Sequence, residues 1–102
     1  MDHERDARLI LKKIKMDDFF LLQHANTRAS ERGLTKNSVI ECAKTCFHYE
    51  WQETSETYLF LGSFNDSEDG GFSAVLRDQV LVVTVFRRRL TKWERSKKLK
   101  GL

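Results

Sequence analysis

The sequence contains no proline, only five glycines among 102 residues, no internal repeat and no low-complexity stretch. Nothing in it can serve as an interdomain linker, and its length supports one modest core, so the chain reads as a single domain over 1–102. Long apolar runs are missing too, which excludes a membrane-spanning helix. The first six residues, Met1-Asp2-His3-Glu4-Arg5-Asp6, lack the basic, then apolar, then small layout of a secretory signal, and the expected compartment is the cytoplasm. Cysteine is scarce. Cys42 and Cys46 lie four apart at a predicted helix end, poor geometry for a disulfide and in keeping with a reducing compartment. With His48 they make a partial zinc set for which no local motif supplies a fourth ligand, so no metal or cofactor is expected and the thiols read as packing residues. The apolar stretch around both thiols argues against a Cys-His nucleophile, and the missing G-x-S-x-G sets aside a Ser-His-Asp hydrolase.

Charge is abundant and unevenly placed. The formal net charge is +3, yet Arg87 to Lys100 alone holds eight Lys or Arg against one acid, Glu94, so the rest of the chain is net negative. Basicity therefore belongs to the C-terminal end, with residues 90–102 read as a basic extension. Arg87, Arg88, Arg89 and Lys92 beside Trp93 have the composition of a phosphate-backbone contact in which an indole stacks on a base. A solvated tail, or one that docks on an acidic partner, has the same composition.

The most informative ten residues are His24-Ala25-Asn26-Thr27-Arg28-Ala29-Ser30-Glu31-Arg32-Gly33. In a helix, His24, Arg28 and Arg32 drift only about 40° around the axis per step, which stacks an imidazole and two guanidiniums on one stripe. Like charges repel, so the stripe suggests an anion site, since arginine forks match phosphate and carboxylate. A boundary histidine and a solvated face paired with Glu31 or with acids elsewhere fit the same spacing. Gly33 is expected to end the helix at positive φ.

Around this stripe the periodicities predict an α+β domain. Ala7, Ile10, Leu11 and Ile14 make residues 4–15 an amphipathic helix, and Phe19-Phe20-Leu21-Leu22 is either a short strand, the preferred reading, or the start of the His24 helix. Thr35 is a good N-cap for a helix to Thr45, with Val39, Ile40, Ala43 and Phe47 inward. Phe47, Tyr49 and Trp51 then alternate with polar residues as in a strand, and further strands are expected at 58–64, 72–76 and 80–87. The last is apolar on both faces (Val80, Val82, Phe86; Leu81, Val83, Val85) and should be central. Asn65 to Gly71 reads as a hairpin turn rich in turn formers, its acids arguing against a phosphate-cradling loop, and Arg77-Asp78-Gln79 as a second hairpin. The whole is N-terminal helices packed on a small twisted antiparallel sheet.

His-Ala-x-x-Arg-x-x-x-Arg-Gly at 24–33, a short second helix and a strand ending Val82-Val83-Thr84-Val85-Phe86-Arg87 resemble a family of small bacterial domains of unknown function that share this signature and a terminal T-V-Y/F-R strand, over roughly residues 17–89. A fainter similarity reaches the MqsR toxins and, through them, the RelE and BrnT toxins of toxin-antitoxin modules. The resemblance implies a RelE-like fold, metal-independent RNA cleavage, a free or ribosome-bound mRNA substrate and a cognate antitoxin as partner. Only the signature positions transfer; the MqsR catalytic residues do not map cleanly. In such a reaction His24 can serve as base or acid, while Arg28, Arg32 and one of Arg87 or Arg88 hold the phosphate. Tyr49, Tyr58 or Trp93 can stack on a base, and His48 is a reserve proton carrier. The alternative is a non-catalytic module of the same fold that docks nucleic acid or an acidic protein.

Overall fold

The computed structural model describes residues 2–94 and 96. In chain order the elements are α1 (His3–Lys15), β1 (Phe20–Leu21), α2 (Gln23–Glu31), α3 (Lys36–Lys44), β2 (His48–Gln52), β3 (Thr57–Ser63), β4 (Asp69–Leu76) and β5 (Val80–Arg87). Strands β2 to β5 form an antiparallel meander, and β1 adds in parallel to β5, giving the order β1-β5-β4-β3-β2. This is the expected α+β class. Among the described residues no helix is long and apolar enough to cross a membrane.

Local chemistry accounts for the helices. Asp2 caps α1 by accepting from the Arg5 amide at 3.0 Å, acids fill its first turn, and Lys12, Lys13 and Lys15 its last, all in the sense the helix dipole favours. Its buried residues are Ala7, Ile10, Leu11 and Ile14, the predicted stripe. Helix α2 ends in a Schellman motif. The Gly33 amide donates to the Ser30 carbonyl at 3.1 Å and the Leu34 amide to the Ala29 carbonyl at 2.8 Å, with Gly33 at φ 71°. Thr35 opens α3 through a capping box with Ser38.

The helices cover one face of the sheet, where Phe60, Phe72, Val80, Val82 and Val85 are fully buried with Ile10, Ile14, Val39 and Cys42. Three expectations need correction. First, β5 does not alternate uniformly: Ser73 pairs with Thr84 and Ala74 with Val82, so Val83 is a bulge and Val85 joins Val80 and Val82 on the helix side. Second, Gly70 and Gly71 lie within β4, not in the turn, because a Cβ on Gly70 would run into the Phe86 carbonyl and one on Gly71 into the Phe60 carbonyl. Third, Phe47 belongs neither to the α3 inner face nor with Tyr49 and Trp51. It precedes β2 and packs with Leu61, Phe86 and Leu90 in a separate cluster, whereas Tyr49 and Trp51 pack on the main core.

That second cluster changes the reading of the C-terminal extension. Leu90 is buried against it, and Thr91 and Glu94 form a capping box in which the Thr91 amide donates to Glu94 Oε1 at 2.9 Å and the Glu94 amide to Thr91 Oγ1 at 3.2 Å. Residues 90–94 are therefore part of the fold. Arg95, Lys97, Lys98 and Lys100, four of the basic residues counted above, lie outside the described residues.

Candidate functional site

Helix α2 leaves β1 at once, with the Leu22 amide still bonded to the Val82 carbonyl at 3.0 Å, and lies along β5. Its buried residues are Ala25 and Ala29, whose small side chains permit a close approach to the strand. His24 and Arg28 border that contact one residue away, and Arg32 follows at the C-cap. They line one open cleft of about 80 Å³ whose strand wall is Val83, Thr84 and Val85, the stretch of β5 beyond its pairing with β1 that carries the bulge. The stripe read from spacing is thus brought to one place.

Its three members differ in their commitments. Arg32 Nη1 donates to the Val85 carbonyl at 2.8 Å, and the Arg32 carbonyl accepts from Arg87 Nη1. Arg32 is a strut between helix and strand that uses one of its five guanidinium donors. His24 and Arg28 are exposed and make no side-chain hydrogen bond or ion pair among the described residues.

The other basic candidates lie at a neighbouring cleft of about 400 Å³, lined by Ser67, Glu68, Asp69, Arg87, Arg88 and Arg89. Two are already neutralised. Arg87 pairs with Glu68, whose carboxyl is held below its ordinary range by the Asn65 side chain first and then by Arg87. Arg88 pairs with Glu94 at 2.8 Å; the Thr91 amide, and then the Arg88 charge, hold the Glu94 carboxyl low. Arg89 and Lys92 are exposed, and Trp93 is 62% exposed.

Tyr49, Tyr58 and His48 are not brought to these clefts. Tyr58 is 3% exposed, with its hydroxyl 2.7 Å from His3 Nδ1 and donating to Asp6 Oδ2 at 3.4 Å; the Trp51 ring lies 4.8 Å away and the Phe60 ring 6.4 Å. Burial, and then Asp6, pushes its phenol pKa up. Its faces are taken, so the base-stacking role suggested for Tyr58 is withdrawn. Tyr49 and His48 sit on β2, at the far edge of the sheet from β5, on opposite faces of that strand. Cys42 and Cys46 are buried free thiols; burial pushes both up, Cys46 to about 11 and Cys42 further. Among the described residues no three His, Cys, Asp or Glu gather where a metal could bind.

Sequence reasoning missed two features. The Arg32 strut has no sequence signal, since it depends on where β5 lies. The Thr91-x-x-Glu94 box had one, the capping-box spacing itself. Comparison of the chain with known family models, with curated proteins and with solved structures finds no match.

Proposed function

We propose that the α2–β5 cleft binds an RNA phosphate and that the chain is a metal-independent endoribonuclease of the RelE and MqsR kind, acting in the cytoplasm on free or ribosome-bound mRNA and held in check by a cognate antitoxin. The observation that carries this reading is that His24 and Arg28, both exposed and uncommitted, line one cleft with Arg32. The reaction class comes from the family resemblance. A base takes the proton of a 2′-hydroxyl, the 2′-oxygen bonds to the adjacent phosphorus, the bond from phosphorus to the 5′-oxygen breaks, and that oxygen is protonated as it leaves. His24 handles one of these protons, as general base or general acid. Arg28 holds the phosphoryl oxygens as negative charge develops, and the free donors of Arg32 assist. Arg89, Lys92 and Trp93 extend the basic surface for flanking nucleotides, and Arg87 and Arg88 act mainly through the ion pairs that shape it.

One observation favours the alternative of a non-catalytic nucleic-acid- or protein-binding module. Among the described residues His24 is the single imidazole on the cleft, so one group must serve both proton transfers unless the substrate complex supplies the second. A cleavage assay with mixed-sequence RNA, with and without ribosomes and with a chelator, separates the two. Catalysis requires that His24→Ala lose on the order of 100-fold in rate while RNA affinity and melting temperature hold. Cleavage that needs added divalent metal, or that persists in His24→Ala, sinks the mechanism; binding without cleavage establishes the module.

A further inference from the structure

At the opposite edge of the sheet, α1 and β2 enclose a groove of about 360 Å³ lined by Arg8, Leu11, Lys12, Lys15, Met16 and Tyr49. Its floor and lip are apolar: Leu11 is buried and Met16, at the end of α1, is 66% exposed. Its rim is cationic. Arg8 pairs only with Glu4, at 3.2 Å on the helix surface, while Lys12, Lys15 and the Tyr49 hydroxyl have no side-chain hydrogen bond or ion pair among the described residues. The wall opposite the helix is β2, the last strand in the sheet order, so its outer edge has no strand partner among the described residues. The edge His48-Tyr49-Glu50-Trp51-Gln52 has no proline, no lysine and no bulge against β3; Glu50 is its one charged residue.

We infer that this edge and groove together form a docking site for an extended segment of another protein, which adds to β2 as a sixth strand and carries the pattern acidic-x-apolar-x-acidic. The dimensions select that pattern. Alternate residues of an added strand point to the helix side, so a central apolar side chain enters the groove between Leu11, Met16 and Tyr49. Acids two residues before and after it are separated by about 13 Å along the strand. The rim cations from Arg8 to Lys15 span about 10 Å along α1, a length comparable to that separation. No stretch of this chain has an apolar residue flanked in that way; the one pair of acids four apart, Asp2 and Asp6, has Glu4 between them. A second copy therefore does not supply that pattern. The groove lies across the sheet from the α2–β5 cleft, and a segment bound here leaves that cleft open.

The probe is a synthetic peptide, Ser-Asp-Thr-Leu-Thr-Glu-Ser, titrated into isotope-labelled full-length protein while amide resonances are followed. Saturable shifts are expected at residues 48–52 and 8–16 and not along α2. Lys12→Glu combined with Lys15→Glu, both on exposed positions, should weaken binding about tenfold or more, and added salt should weaken it in the wild type. Shifts that centre on α2, or none up to millimolar peptide, overturn the site. Equal binding by a peptide with lysine in place of its acids overturns the charge match, and equal binding by a peptide N-methylated at alternate residues overturns strand addition.

Discussion

Replacing Arg32 and Arg28 separately with alanine should divide the cationic stripe into a structural and a functional half. Arg32 donates to the Val85 carbonyl at 2.8 Å, and Val85 is fully buried in the main core. A hydrogen bond from a charged donor typically contributes about 1.5–3 kcal/mol. Arg32 is exposed and water can reach the cleft, so screening and replacement by solvent reduce this to about 1 kcal/mol. In a domain of this size that lowers the melting temperature by about 4–8 °C. Arg28 has no such partner, and Arg28→Ala should cost under about 0.5 kcal/mol. If the cleft binds RNA as proposed, binding should show the reverse order: Arg28→Ala should reduce the slope of log affinity against log salt by about one. Thermal melts followed by circular dichroism, and fluorescence anisotropy with a labelled RNA at several salt concentrations, measure both quantities. If Arg28→Ala melts below Arg32→Ala, or Arg32→Ala melts with the wild type, the division of labour argued here is wrong.

Gly33→Val should destabilise the fold by about 1–2 kcal/mol while Gly33→Asn stays near wild type, because a Cβ there meets only Arg87 Nη2 at an ordinary 3.8 Å and the cost is the left-handed backbone alone; equal melts for the two would contradict this. Cys42 and Cys46 should resist a thiol-directed disulfide reagent at pH 8 in the native state and both react in denaturant, given their burial and raised thiol pKa values. Rapid labelling of the native chain would show the region open. Glu94 has a lowered folded pKa, so its bonds to Thr91 and Arg88 contribute stability above its ordinary value of 4.5, lost as pH falls through the lowered one. The stability gap between wild type and Glu94→Gln should therefore be constant near neutrality and close on acidification; a gap independent of pH would refute the assignment.

What the sequence by itself determined is what near neighbours decide. The 3.6-residue stripe of α1, the Thr35 cap, the positive φ of Gly33 and the common face of His24, Arg28 and Arg32 all depend on residues within about two turns of one another, and each is present in the structure. The α+β class follows in the same way, from the change of hydrophobic period after α3. Only the tertiary structure decided the rest. The Val83 bulge is invisible in an all-apolar strand, because either alternation fits until β4 imposes its register. Gly70 and Gly71 resemble a turn until the flanking strands close over them. Tyr58 and Arg32 carried the side chains for stacking and for phosphate binding, yet one is enclosed by His3, Trp51 and Phe60 and the other bonded to a strand carbonyl 53 residues away. Periodicity places a side chain on a face of its own element; which group it meets there is set by contacts distant in sequence, whose geometry exists only once the sheet has formed.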